Sequence, residues 1–453
     1  MIFRSPRRPP GPMGPRAGPA ATRPPPPGAA APRRRSASQF QHTCPHSLNF
    51  SEFVRLVTRV ANLLTHSSGR TQRIRPAVRR PSPVRKAPTV MRQSPGQMLR
   101  HTTVGVLTLA AVWAPCGSPV AAPAAPAPEA TVLAFDQRYR ALQHGGMVRA
   151  ANTSITCRAQ ASSCRNVQTG GPGVNGDFDM FYVDVDNDPN TYNSSRSEVR
   201  LPAGSRVTYA RLYWGGNLRV GEQKPLEDNG RVLIAEPGGE YKELLADTVV
   251  GHRVADGADA FQASADVTGL VRDSGPGLYT VAQVNVAMGR SAAGAWGGWT
   301  LVVAYENPAE PLRHLTLWDG FLPLMGRGEI QIPLRALDFS AGAGGRVGLV
   351  AYNGDRGTSG DSLVLTTGGS APVSTVLADA ANPGDDVLNS TISDPGTAPA
   401  RVPAYANTLG YDSDVFDLSG ALPHSGDEVT LRLTSQQDAA WAGALFAAVD
   451  ARW

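Results

Sequence analysis

The 453-residue chain has four cysteines, 41% hydrophobic residues and a formal charge of +5. That charge averages two unlike pieces: residues 1–97 hold 18 of the 43 Lys and Arg but one of the 38 Asp and Glu, Glu52, leaving 25 basic against 37 acidic residues beyond. A basic tail of this kind could bind nucleic acid, but it reads as an over-called translation start, so no nucleic-acid partner is expected.

Residues 1–97 include Pro24-Pro25-Pro26-Pro27 and Arg33-Arg34-Arg35. Such a segment buries too little apolar surface to offset chain entropy, so it is expected to be disordered. Met91 or Met98 is expected to be the true first residue. From Met98 the chain reads as a secretory leader, 98–127. Met98-Leu99-Arg100-His101 is a short positive start, and Thr102–Ala114 is an apolar core of about 13 residues, short of the roughly 20 that span a bilayer. Ala122-Pro123-Ala124 is the best cleavage triplet, and Trp113-Ala114-Pro115 before Cys116 is a poor lipobox. The product is expected to be secreted, with no transmembrane span.

Cys44 and Cys116 fall before the expected mature start. Cys157 and Cys164, with six residues between them, are expected to pair in an oxidising compartment. No second Cys pair stands near to suggest a metal centre.

Beyond residue 128, short β-branched and aromatic runs alternate with Gly, Pro, Asn and Asp turns, the pattern of an all-β sandwich. Strands are expected at Met180–Asp186, Val207–Trp214, Val232–Ala235, Tyr279–Val286, Trp299–Tyr305, Leu315–Trp318, Ile330–Leu334, Val347–Tyr352, Ser362–Thr366 and Val429–Thr434. The length exceeds one ordinary core. Glu306-Asn307-Pro308-Ala309-Glu310-Pro311 interrupts the pattern with two prolines that cannot donate to a ladder. The expected architecture is therefore two tandem antiparallel, jelly-roll-like β-sandwiches, 128–307 and 308–453.

Several motifs recur in a specific order: Leu201-Pro202-Ala203-Gly204 with Ala210-Arg211-Leu212-Tyr213-Trp214-Gly215-Gly216, then Ala265-Asp266-Val267-Thr268, Gly298-Trp299-Thr300-Leu301-Val302-Val303, Asp319-Gly320-Phe321 and Leu409-Gly410-Tyr411-Asp412. In this, residues 145–450 resemble an uncharacterised family of secreted bacterial β-proteins whose members often precede Ig-like repeats in surface proteins. The resemblance implies an extracellular location and no particular activity.

The densest chemical signal is Asp184-Val185-Asp186-Asn187-Asp188. In an extended segment Asp184, Asp186 and Asp188 share a face. They suit either a calcium ion held by oxygen ligands or a solvated acidic turn before Pro189. Asp355 with Asp361, and Asp412, Asp414 and Asp417, repeat the same chemistry, with Asx-turns as the alternative. Gly171–Gly176 matches a G-x-G-x-x-G string but opens no helix, so it is no phosphate cradle. No catalytic elbow, zinc motif or P-loop is present, and His144, His252, His314 and His424 stand singly. Glu198, Glu306 and Asp319 are the carboxylates that would have to pair for hydrolysis. Lys224 and Lys242 are the two lysines available for an isopeptide bond. Trp214 and Trp299 read as core, whereas Trp296, flanked by Gly294, Ala295 and Gly297, is the candidate exposed platform for a sugar. The combined reading is a non-enzymatic exported protein with a structural, adhesive or glycan-binding role, its partner an extracellular glycan or surface protein. The alternative is a polysaccharide-active hydrolase with an unrecognised carboxylate pair.

Overall fold

The computed structural model describes residues 125–452 except 161, 327, 397 and 398, and leaves the side chain of residue 252 undescribed. The expected disordered segment, most of the leader, Cys44 and Cys116 lie outside the described residues. Those described form one compact unit.

The fold is nearly all β, as the alternation of short apolar runs and turns predicts. In chain order the strands are β1 (Glu129–Ala130), β2 (Leu133–Thr153), β3 (Ile155–Cys157), β4 (Met180–Tyr182), β5 (Ser194–Val199), β6 (Arg206–Asn217) and β7 (Arg231–Ala235). There follow β8 (Lys242–Leu245), β9 (Thr248–Ala255), β10 (Ala258–Asp266), β11 (Gly277–Ala282), β12 (Gly297–Glu306), β13 (Leu312–Pro323) and β14 (Glu329–Phe339). The last are β15 (Gly345–Tyr352), β16 (Ser362–Thr367), β17 (Ser374–Leu377), β18 (Arg401–Val402), β19 (Tyr411–Asp417), β20 (Gly426–Thr434) and β21 (Trp441–Asp450). Two short helices, α1 (Cys164–Gln168) and α2 (Thr268–Ser274), lie between strands.

Ten strands form one sheet in the order β1-β9-β10-β6-β12-β2-β13-β21-β15-β19. Its centre is the 21-residue β2. Residues 133–144 of β2 pair with β13 and residues 145–153 pair with β12. The changeover falls at Gly145, whose φ of +143° and close approach to the Tyr305 carbonyl leave no room for a side chain. The two halves of the sheet pack face to face. Tyr213, Ala260, Trp296 and Ala304 meet Leu317, Phe321, Val350, Tyr352 and Trp441 in a common core. Polar contacts cross the same layer: the Tyr213 hydroxyl donates to Asp319 at 2.9 Å and the Gln262 amide donates to the Gly320 carbonyl at 2.9 Å.

Each outer face is covered by a smaller sheet. The five-stranded sheet β18-β5-β11-β7-β8 closes a core with Leu212, Trp214, Trp299 and Leu301. The four-stranded sheet β14-β20-β16-β17 closes another with Leu349, Leu365, Leu431 and Leu445. Each such fully buried side chain contributes about 1.5–3 kcal/mol relative to exposure. The segment Glu306–Pro311 connects β12 to β13, the two neighbours of β2. Chain crosses this point both ways: residues 133–144 pair with β13 beyond it, and β18 pairs with β5 before it.

Central strands buried on both faces read as apolar runs, and β12 and β21 are buried along nearly their whole length. The expected strand Tyr279–Val286 ends at Ala282, because Gln283 adopts a φ of +63° and breaks the ladder.

Candidate functional site

Asp184, Asp186 and Asp188 surround one turn, and each is engaged within it. Asp186 accepts from the amides of Asn187 and Asp188, both at 2.8 Å, from the Thr191 hydroxyl at 3.0 Å and from the Tyr241 hydroxyl. Burial pushes its carboxyl up, but these donors outweigh burial and hold it below the usual range. Asp184 accepts from the Ser194 hydroxyl at 2.7 Å and Asp188 from the Asn190 amide at 2.9 Å.

Cys157 and Cys164 form the expected disulfide. Trp296 does not form the expected exposed platform. It is fully buried, in the layer between the halves of the large sheet, with its ring 6.0 Å from that of Tyr352. The neighbouring glycines signal a loop, but one inserted where backbone must approach backbone closely. Trp214 and Trp299 are core, as expected, their indole N–H groups bonded to the Asn229 carbonyl and the Ser195 hydroxyl.

Glu198, Glu306 and Asp319 each enter a different ion pair: Glu198 with Arg200, Glu306 with Arg206, and Asp319 with Arg138. Lys242 is paired with Glu236, and Lys224 lies over the Tyr192 ring at 4.2 Å.

An open groove of about 430 Å³ lies where both halves of the large sheet meet the β12–β13 connection. Met147 and Val148 of β2, Tyr305 of β12, Arg313 of β13 and Arg346 of β15 line it, with Arg200, Leu201, Pro202 and Glu310. Its arginines are positioned by carboxylates: Arg200 by Glu198 at 2.6 Å, Arg346 by Asp394 at 3.0 Å, Arg313 by Glu310 at 3.0 Å and Asp450 at 2.8 Å. Glu310, the carboxylate of the lining, is thus committed to an ion pair.

A second constellation gathers carboxylates that the sequence scatters. Asp355 and Asp361 follow β15, Asp386 precedes β18, Asp412 and Asp414 lie in β19, and Asp438 connects β20 to β21. Asp361, Asp412 and Asp414 are fully buried. One oxygen of five of the six accepts a backbone N–H: Leu388 to Asp361 at 2.8 Å, Thr391 to Asp412 at 3.1 Å, Ser393 to Asp414 at 2.9 Å, Gly357 to Asp386 at 2.9 Å and Asp355 to Asp438 at 3.0 Å. The second oxygens of Asp361, Asp386, Asp412 and Asp414 are buried with no hydrogen-bond partner. Burial, reinforced by the charges of Asp386 and Asp385, pushes Asp361 up to about 7. Burial and the Asp177 charge raise Asp355 to about 6. Burial, with the charges of Asp361, Asp355 and Asp386, raises Asp438 to about 8. Asp412 and Asp414 are raised by burial, and Asp412 further by the charge of Asp414. Three non-glycine residues here adopt left-handed backbone: Asn353 (φ +60°), Ser390 (+58°) and Leu409 (+59°). Strain of this kind, of order 1–3 kcal/mol each, persists where surrounding structure enforces it and clusters at functional sites.

The fold and these sites define an all-β protein with a polar groove and a buried acidic cluster. No family model matches the chain, and no curated protein matches it. Among solved structures it is similar to a peptide-N(4)-(N-acetyl-β-D-glucosaminyl) asparagine amidase (11% identity, 68% of this chain and 96% of that one, TM-score 0.18). It is similar also to the major capsid protein P2 of bacteriophage PM2 (12% identity, 68% and 98%, TM-score 0.15). A third is the tandem CBM22-1–CBM22-2 domain of Paenibacillus barcinonensis Xyn10C (8% identity, 72% and 100%, TM-score 0.15). Likeness at these scores carries no argument about function.

Proposed function

We propose that the chain is an exported, non-enzymatic β-sandwich protein that binds a glycan at or outside the cell surface, with the groove at the β12–β13 connection as its binding site. The groove itself carries this reading. Its volume suits a small number of sugar units, within the range of ordinary ligand sites. It combines the apolar surface of Met147, Val148, Leu201 and Pro202 with a phenol and three arginines already oriented by carboxylates. Guanidinium groups favour carboxylated or sulfated sugars through paired hydrogen bonds. Glu310 is held by Arg313, so the lining offers no pair of free carboxyl groups for acid–base hydrolysis.

A glycan array screened with the secreted protein, alongside a hydrolysis assay on the same oligosaccharides, tests the reading. Binding of acidic glycans without turnover supports it; turnover or an empty array overturns it. Export rests on the leader at 98–127, and N-terminal sequencing of secreted material is expected to begin between residues 121 and 130.

A second reading is a hydrolase acting through the buried carboxylates, favoured by the rise of Asp355 and Asp361 toward neutral pH. In that case turnover would disappear on replacing Asp361 or Asp355 and persist when the groove arginines are changed.

A further inference from the structure

We propose that the acidic cluster beside β19 is a calcium site, with Asp361 and Asp412 supplying carboxylate oxygens and Leu388 a main-chain carbonyl.

The first observation is the pair of orphan oxygens. Asp361 Oδ1 and Asp412 Oδ2 belong to side chains with no solvent exposure, and neither atom has a hydrogen-bond partner. An ionised carboxylate oxygen left this way forfeits several kcal/mol of solvation unless a proton or a cation replaces water. The remaining oxygen of each is already fixed by a backbone amide, of Leu388 and Thr391 respectively. Both carboxylates are therefore oriented before any ligand arrives.

The second observation is the placement of Leu388. Its amide bonds to Asp361, while its carbonyl oxygen lies against Gly354 beside Asp412 Oδ2. A Cβ added at Gly354 would collide with that carbonyl and come within 2.7 Å of Asp412 Oδ2. Glycine at 354 thus lets the Leu388 carbonyl and the Asp412 carboxylate approach the same stretch of backbone. Among the described residues no three His, Cys, Asp or Glu side chains make up a metal-ligand group. The proposed donor set therefore cannot be side chains alone: it is two carboxylates and a main-chain carbonyl.

Charge is the third observation. The charge of Asp386 bears on Asp361 and that of Asp438 on Asp412, and Asp386 Oδ1 is also buried without a partner. None of Asp361, Asp386, Asp412 and Asp438 forms an ion pair within 4.0 Å with a described residue. A divalent cation supplies the missing positive charge. An all-oxygen set excludes the metals that prefer imidazole or thiolate. Irregular loops with carbonyl donors suit calcium, which accepts 6–8 oxygens in flexible geometry, better than magnesium, which demands a near-ideal octahedron.

The test uses the purified secreted chain. Elemental analysis is expected to find calcium, and melting in a chelator is expected to occur at lower temperature than in millimolar calcium, with magnesium failing to restore the difference. Asp361→Asn and Asp412→Asn, isosteric changes, are expected to weaken calcium binding by about tenfold or more in calorimetry. Asp186→Ala is expected to leave it unchanged. Identical melting of the wild-type protein in chelator and calcium overturns the proposal, and this result needs no variant to fold. Full restoration by magnesium, unaltered affinity in both Asn variants, or loss of binding in Asp186→Ala would also overturn it.

Discussion

Replacing Asp319 with Asn should loosen the layer between the two halves of the large sheet. Asp319 is buried in β13 and bound from three directions. Arg138 of β2 makes two bonds to it, at 2.8 and 3.0 Å, the Tyr213 hydroxyl of β6 donates at 2.9 Å, and the Arg211 guanidinium lies 3.6 Å away. Removing one member of a buried charge pair costs about 3–5 kcal/mol, because the partner is left desolvated. Arg138 is 31% exposed and can recover water, and Arg211 keeps its ion pair with Asp247. The lower end, about 3 kcal/mol, is therefore expected. Tyr213→Phe, which removes one donor, should cost about 1 kcal/mol. The two changes should be non-additive, since they share an oxygen. Urea unfolding followed by tryptophan fluorescence and by far-UV circular dichroism gives these values. Because β2 belongs to both halves of the sheet, the two probes should report one shared transition that moves as a whole. A loss below about 1 kcal/mol for Asp319→Asn, or two transitions of which only one moves, would refute the face-to-face packing.

Two further outcomes follow from the packing and the disulfide. Trp296→Ala should destabilise the chain by about 3–5 kcal/mol as an ordinary core truncation, and a change below about 1 kcal/mol in urea unfolding would place the ring at the surface instead. Reduction of Cys157–Cys164 should add two hydrogens to the intact mass and lower stability by about 2.5 kcal/mol for so short a loop; thiol labelling of the native protein would contradict the bond.

The strands legible in the sequence are those with β-branched runs, such as Leu301-Val302-Val303 in β12 and Ile330 and Ile332 in β14. The strands β10 and β21 escape that pattern because they are rich in alanine: Ala258, Ala260, Ala263 and Ala265 in one, Ala442, Ala444, Ala447 and Ala448 in the other. Sheets stacked on both faces need small side chains to approach, and that requirement is invisible to a test for β-branched or aromatic residues. The first half of β2 was masked by Asp136, Gln137, Arg138 and Arg140, which the alternation with Leu133, Phe135, Tyr139 and Ala141 accommodates at a partly exposed position. The carboxylates Asp355, Asp361, Asp412 and Asp414 are conspicuous one by one, yet their convergence depends on β15 pairing with β19 and on the 385–393 segment folding over them. Asp386 and Asp438 join them through that topology, and no local spacing announces either. The groove is likewise assembled from five strands, β2, β12, β13, β15 and β21, and from the β5–β6 and β12–β13 connections, far apart in sequence.

The most direct measurement is a calorimetric titration of an acidic oligosaccharide selected on the array. It would be made against the wild-type protein and against Arg200→Ala/Arg346→Ala, two partly exposed groove arginines at 47% and 44% side-chain exposure. A loss of about two bidentate charge-assisted contacts should weaken binding by roughly 100-fold, with melting temperature nearly unchanged because surface ion pairs contribute little to stability. Undiminished affinity in a folded double variant would contradict the account and place the binding site elsewhere.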